Sequence, residues 1–207
     1  MTRISTTILM AFLAAGIASA TPYTYFVQVE TPNFGQTGWI DFSFAQVNSL
    51  TSLPATASVY DFQQFGYAMD WPNTQVSGPD VTGALDAPPV VIPNGGGAAN
   101  YFTQHVTSWG GWFSFLVTFS GAAPGNAAPD GSIFRVTLYD ESFGYLASPL
   151  PDYEVANVTI NPDGTLTGNG STFDGGSATV SAVPEPASAA LAGIALAAVA
   201  WRRRRLA

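Results

Sequence analysis

The chain has 207 residues, with 6 basic and 14 acidic side chains, one histidine, no cysteine and a formal net charge of −8. The lack of cysteine excludes disulfides, thiolate metal sites and cysteine nucleophiles, and a hydrophobic content of 47% with 14 Phe, 8 Tyr and 5 Trp excludes a disordered chain. Five of the six basic residues (Arg3, Arg202, Arg203, Arg204 and Arg205) lie at the two ends, so segment 21–182 sets Arg135 alone against 13 acids. That imbalance excludes nucleic acid and anionic lipid as partners and favours cations.

In chain order, Arg3 supplies a positive start, 8–17 (ILMAFLAAGI) an apolar run, and Ala18-Ser19-Ala20 a small-residue cleavage site. This is the pattern of a secretory signal peptide, which predicts passage through the Sec translocon and Thr21 as the first mature residue. The body between this segment and the tail, about 160 residues, suits one domain with a sizeable core.

Within that body the apolar period is two. In 39–44 (WIDFSF), Ile40, Phe42 and Phe44 share a face opposite Asp41 and Ser43; 112–119 (WFSFLVTF) and 133–139 (IFRVTLY) alternate in the same way. These patterns predict half-buried strands. Further strands are expected at 23–30, 57–65, 89–92, 100–107, 153–160, 164–167 and 177–181. Gly-, Pro- and Asn-rich breaks separate them, among them 94–97, 121–131 and 161–164. No stretch of the body carries a helical apolar stripe. The expectation is an all-β, antiparallel β-sandwich or jelly roll of about eight to ten strands over 21–170. Segment 171–182 reads as a flexible stalk or a last strand.

Chemistry has few carriers. His105 is the sole histidine and sits in a strand-like run, where a partly exposed strand position accounts for it. The chain lacks a G-x-S-x-G elbow, an H-E-x-x-H pair and a phosphate-binding Gly loop. Paired carboxylates (Asp140 with Glu141, Asp152 with Glu154, Asp61 with Asp70) have the groups for glycoside cleavage, but 13 acids produce such pairs by chance. The expectation is no enzyme and no cofactor, with a structural calcium on loop oxygens of Asp130, Asp152 and Asp163 as the one ion site considered. Aromatic faces stack on sugar rings, so Trp109 and Trp112, flanking a Gly-Gly turn, with Tyr101 nearby, form a candidate glycan site; core packing is the competing use of these rings. Asn157-Val158-Thr159 and Asn169-Gly170-Ser171 match the glycosylation pattern.

The tail reads Val183-Pro184-Glu185-Pro186, an apolar run at 187–201, then Arg202, Arg203, Arg204 and Arg205. As a helix the apolar run spans about 22 Å, against about 30 Å of bilayer hydrocarbon, so it predicts a thin transmembrane anchor. The arginines hold the 202–207 end cytoplasmic and the body outside. This order of features resembles the PEP-CTERM sorting signal of Gram-negative bacteria. The resemblance implies recognition and cutting by an exosortase near the Pro-Glu-Pro, and traffic to the cell surface or an exopolysaccharide matrix.

The body in turn is similar to a small family of PEP-CTERM proteins of about two hundred residues with no established activity. The similarity lies in Gly38-Trp39-Ile40-Asp41-Phe42, Asp80-Val81-Thr82-Gly83, Phe113-Ser114-Phe115-Leu116-Val117-Thr118, and a stretch that runs from Phe134 through Leu138-Tyr139-Asp140 to Asn161-Pro162-Asp163-Gly164. It brings no catalytic residue with it. The functional expectation is a non-catalytic surface, matrix or biofilm protein, with a carbohydrate-binding module as the alternative and a secreted hydrolase last.

Overall fold

The computed structural model describes residues 23–95, 100–147 and 153–183. Among these, twelve strands form two six-stranded antiparallel sheets packed as a sandwich, without a helix. The first sheet holds β1 (Thr24–Thr31), β3 (Ala55–Phe65), β5 (Val90–Pro93), β7 (Gly111–Gly121), β11 (Thr172–Phe173) and β12 (Gly176–Ala182), in the order β11-β12-β1-β7-β3-β5. The second holds β2 (Gly38–Gln46), β4 (Ala68–Ser77), β6 (Asn100–Ser108), β8 (Ser132–Asp140), β9 (Ala156–Ile160) and β10 (Leu166–Gly170), in the order β10-β9-β8-β2-β6-β4.

The alternation seen in the sequence is what closes the interior. Val27 and Val29, Ala57 and Val59, and Phe113, Phe115, Val117 and Phe119 point inward from the first sheet. Ile40, Phe42 and Phe44, with Phe102, Phe134, Val136 and Leu138, meet them from the second. Phenylalanines interlock across the gap: Phe42 sits edge-on to Phe115 at 5.1 Å, Phe44 to Phe119 at 5.7 Å, and Phe119 to Phe134 at 6.0 Å. Edge-to-face pairs of this kind add about 0.5–1.5 kcal/mol each beyond the area they bury.

Two strands exceed the sequence expectation. β4 contains Pro72 and several polar residues, and it pairs with β6 through two register shifts at the sheet edge, where a proline is tolerated. β11 is a two-residue strand beside β12. Segment 171–182 is therefore largely strand: β12 pairs with β1 along six positions, from Tyr25↔Ala182 to Glu30↔Ser177. The turn between β9 and β10 depends on Gly164. Its φ is +81°, and a Cβ there would meet the Asn126 backbone N at 2.4 Å.

One outer face is unusual. β2 is buried at Trp39 and Asp41 as well as at Ile40 and Phe42, so both sides of this strand are covered. The cover comes from side chains of the neighbouring strands and from the chain just beyond β8.

Candidate functional site

Register across β8, β2, β6 and β4 lines up three rows on the outer face of the second sheet. One row is Tyr139, Trp39 and His105; the next is Thr137, Asp41, Thr103 and Gln75; the third is Arg135, Ser43, Tyr101 and Ser77. Past β8 the chain turns back sharply. Asp140 Oδ1 accepts from the backbone N–H of Ser142 at 2.7 Å and of Gly144 at 2.8 Å, and Leu146 N donates to Leu138 O at 2.9 Å. This Asx turn places the exposed rings of Phe143 and Tyr145 beside the sheet. Phe143 stacks on Trp39 at 5.6 Å, and Tyr145 packs on Tyr139 at 5.1 Å and on Tyr153 at 4.2 Å.

Sheet and turn together form a cavity of about 440 Å³. Asp41, Ser43, Gln75 and Thr103 supply its polar lining, and Tyr101, Tyr139, Phe143 and Tyr145 its rings. The volume falls within the range of about 300–1,000 Å³ typical of small-molecule sites. Asp41 is only 6% exposed. Burial pushes its carboxyl up to about 7, against a smaller downward pull from the Ser43 hydroxyl that donates to it. Tyr139 is pushed up to about 12, by burial first and then by the charge of Asp41. The arrangement joins a desolvated acid to aromatic rings and neutral hydrogen-bonding groups, which is binding chemistry for a polar ligand with apolar faces.

The sequence-picked groups fall elsewhere for the most part. Trp109 is a correction: at 2% exposed it is a core residue, packed against Phe34 at 5.5 Å and Tyr67 at 5.7 Å, so it has no free face for a sugar. Trp112 is 36% exposed and stacks on Phe65 at 6.5 Å, on β7 of the first sheet. Tyr101 lies on β6 of the second sheet, in the cavity. The three rings do not form one site. A stability comparison checks this division: Trp109→Ala should cost about 3–5 kcal/mol of unfolding free energy, and Trp112→Ala well under half of that, by urea denaturation.

The acids and the histidine are held locally. Asp130 accepts from the Thr51 hydroxyl, and Asp163 accepts from the Thr165 backbone N–H at 2.9 Å and from its hydroxyl. Asp152 lies outside the described residues, and among those described no group of three or more His, Asp or Glu is placed to hold a metal ion. His105 is buried rather than partly exposed. Its Nε2 pairs with Glu141 Oε1 at 2.6 Å, its Nδ1 lies 3.5 Å from Asp70, and its ring packs on Trp39 at 4.7 Å. Hydrogen bonds from Thr37 and His105 hold the Glu141 carboxyl below its usual range. Glu154 is buried and accepts from Arg135 Nε at 3.0 Å and from Asn157 Nδ2 at 2.7 Å. Asn157 is thus engaged inside the fold, and it accepts from the exposed Asn169 at 3.0 Å.

Sequence reasoning passed over Asp41, Tyr139, Phe143 and Tyr145 as site residues. The signals were an acid in the middle of an apolar strand and three aromatics spaced around an Asp-Glu-Ser turn. The signal-peptide residues Ala18, Ala20 and Thr21, and the tail from Pro184 onward, lie outside the described residues. Val183, the last described residue, donates its N–H to Thr24 O at 2.9 Å.

Residues 182–205 match a family model described as the PEP-CTERM protein-sorting motif. The motif supports an exported protein that is held transiently in the membrane and processed by an exosortase. No curated protein and no solved structure matches the chain.

Proposed function

We propose that this chain is a non-catalytic component of the cell surface or of an exopolysaccharide matrix, exported through the Sec translocon and released to its final place by an exosortase. The observation that carries the reading is the sorting motif at 182–205, which begins on the last strand of a β-sandwich. Fractionation of cells that contain an exosortase tests it. The chain should reach the surface or matrix fraction, and replacing Pro184-Glu185-Pro186 by alanines should keep it in the inner membrane. Equal distribution of both forms would end the reading.

A second reading, a carbohydrate-binding module, is favoured by the cavity on the second sheet, where rings and hydrogen-bonding groups converge. In this reading the glycan site centres on Tyr101, Tyr139 and Tyr145.

A further inference from the structure

We propose that the cavity on the outer face of the second sheet binds an amino-sugar residue of a polysaccharide, with its ammonium group against Asp41 and its ring against the surrounding Tyr and Phe side chains. The inference rests on the carbohydrate-binding reading and names its ligand class.

Three features of the site select this chemistry. The first is a carboxyl group buried to 6% exposure that lines a cavity instead of the core. Desolvating a carboxylate is costly unless a cation or hydrogen bonds compensate, so such a group favours a ligand that brings its own positive charge. The second is the ring content of the wall. Tyr101, Tyr139, Phe143 and Tyr145 share the cavity with Asp41. Aromatic faces attract an ammonium through their quadrupoles and also pack on the C–H face of a pyranose. The third is the neutral remainder of the lining. Ser43, Thr103 and Gln75 donate and accept hydrogen bonds without charge. A simple alkylammonium or a lysine side chain would engage the acid and the rings but bring no partner for the Gln75 amide or for the remaining hydrogen-bonding capacity of the Ser43 and Thr103 hydroxyls, which already donate to Asp41 and to Gln75 O; ring hydroxyls supply such partners.

The field of the domain points the same way. With 13 acids against Arg135 in 21–182, a polycationic glycan is drawn to the surface and a uronic-acid polymer is repelled. The site is also open to a polymer, since Phe143 and Tyr145 at its rim are 44% and 49% exposed.

Isothermal titration of the purified full-length chain tests the assignment, with oligomers of glucosamine, N-acetylglucosamine and glucose, and a lysine peptide of matched charge. The expected result is saturable binding of the glucosamine oligomer, about tenfold or more tighter than any of the other three. Asp41→Asn should abolish the preference over the acetylated oligomer. Tyr145→Ala should weaken binding of the glucosamine oligomer severalfold while leaving the melting temperature within about 3 °C of the parent. Equal binding of acetylated and free amines, equal binding of the lysine peptide, indifference to Asp41→Asn, or no binding at all would each overturn it. None of these outcomes touches the surface-sorting reading, which the fractionation experiment decides separately.

Discussion

Asp41→Asn should melt about 10 °C above the parent at pH 8 and within about 2 °C of it at pH 4. The Asp41 carboxyl is raised from 3.8 to about 7 in the folded domain, chiefly because burial disfavours its charge. Between those two values the folded state holds a proton that the unfolded state has released. Stability contributed by the protonated group is therefore complete below about pH 4, falls by about 1.4 kcal/mol per pH unit, and is lost by the time the pH passes 7. The total is about 4 kcal/mol, which for a domain of this size corresponds to roughly 10 °C. Asparagine keeps the size of the side chain and a hydrogen bond for Ser43 but has no charge to desolvate. Neighbouring groups do not confuse the readout. Tyr139, raised to about 12, stays neutral throughout. Glu141 and Asp163 are lowered, so their contributions run in the opposite direction and are lost as the pH falls through the acid range. Thermal melts of the two proteins from pH 4 to pH 8 would show converging curves at acid pH. Parallel curves would mean that Asp41 is ionised at no cost in the folded state.

A buried acid is unusual in a purely structural strand, since isosteric neutral residues would do better. Its place in a cavity gives it a reason: a bound ammonium would supply the compensation that the unliganded fold withholds. The stability and binding experiments thus probe one carboxyl from two sides.

The sandwich was legible because its central strands advertise themselves. β2, β7 and β8 alternate Phe, Ile, Val and Leu with polar residues, and a period of two leaves one solution for which face is buried. β4 was not legible. It is polar, broken by Pro72 and shifted twice in register, so only its pairing with β6 marks it as a strand. The site was half legible. The alternation correctly put Asp41 and Ser43 on the face away from Ile40 and Phe42, but it gave that face to solvent. Burial of Asp41 comes from its neighbours Thr103 and Thr137, on strands far along the chain, and from a turn after β8 that carries Phe143 and Tyr145. Local pattern carries no information about such neighbours. Trp109 failed for the same reason. A Trp-Gly-Gly-Trp turn looks exposed in sequence, yet Phe34 and Tyr67, distant in the chain, close over the first indole.

Ending the chain after Asp174 should abolish cooperative unfolding, whereas ending it after Val183 should leave the melt unchanged. β12 pairs with β1 at six positions, and β1 in turn lies between β12 and β7. Ala178 is buried, Val180 packs against the core, and Ala178 N donates to Ser171 O at 2.6 Å. Losing the strand leaves one ladder of β1 unpaired. At about 0.5–1.5 kcal/mol per hydrogen bond, about six bonds amount to about 3–9 kcal/mol, which is comparable to the total stability of a domain, about 5–15 kcal/mol. Circular dichroism melts of the two truncations decide the point, and a cooperative transition in the shorter one would refute it. The same geometry constrains processing. The sorting motif starts at residue 182, so its first two residues are tied to the sandwich: Ala182 ends β12 paired with Tyr25, and Val183, just past the strand, donates its N–H to Thr24 O. A cut before Ala182 would strip bonds from the end of β12, and a cut after Val183 would leave every described bond in place. The mature protein, measured by mass spectrometry, should therefore retain Val183.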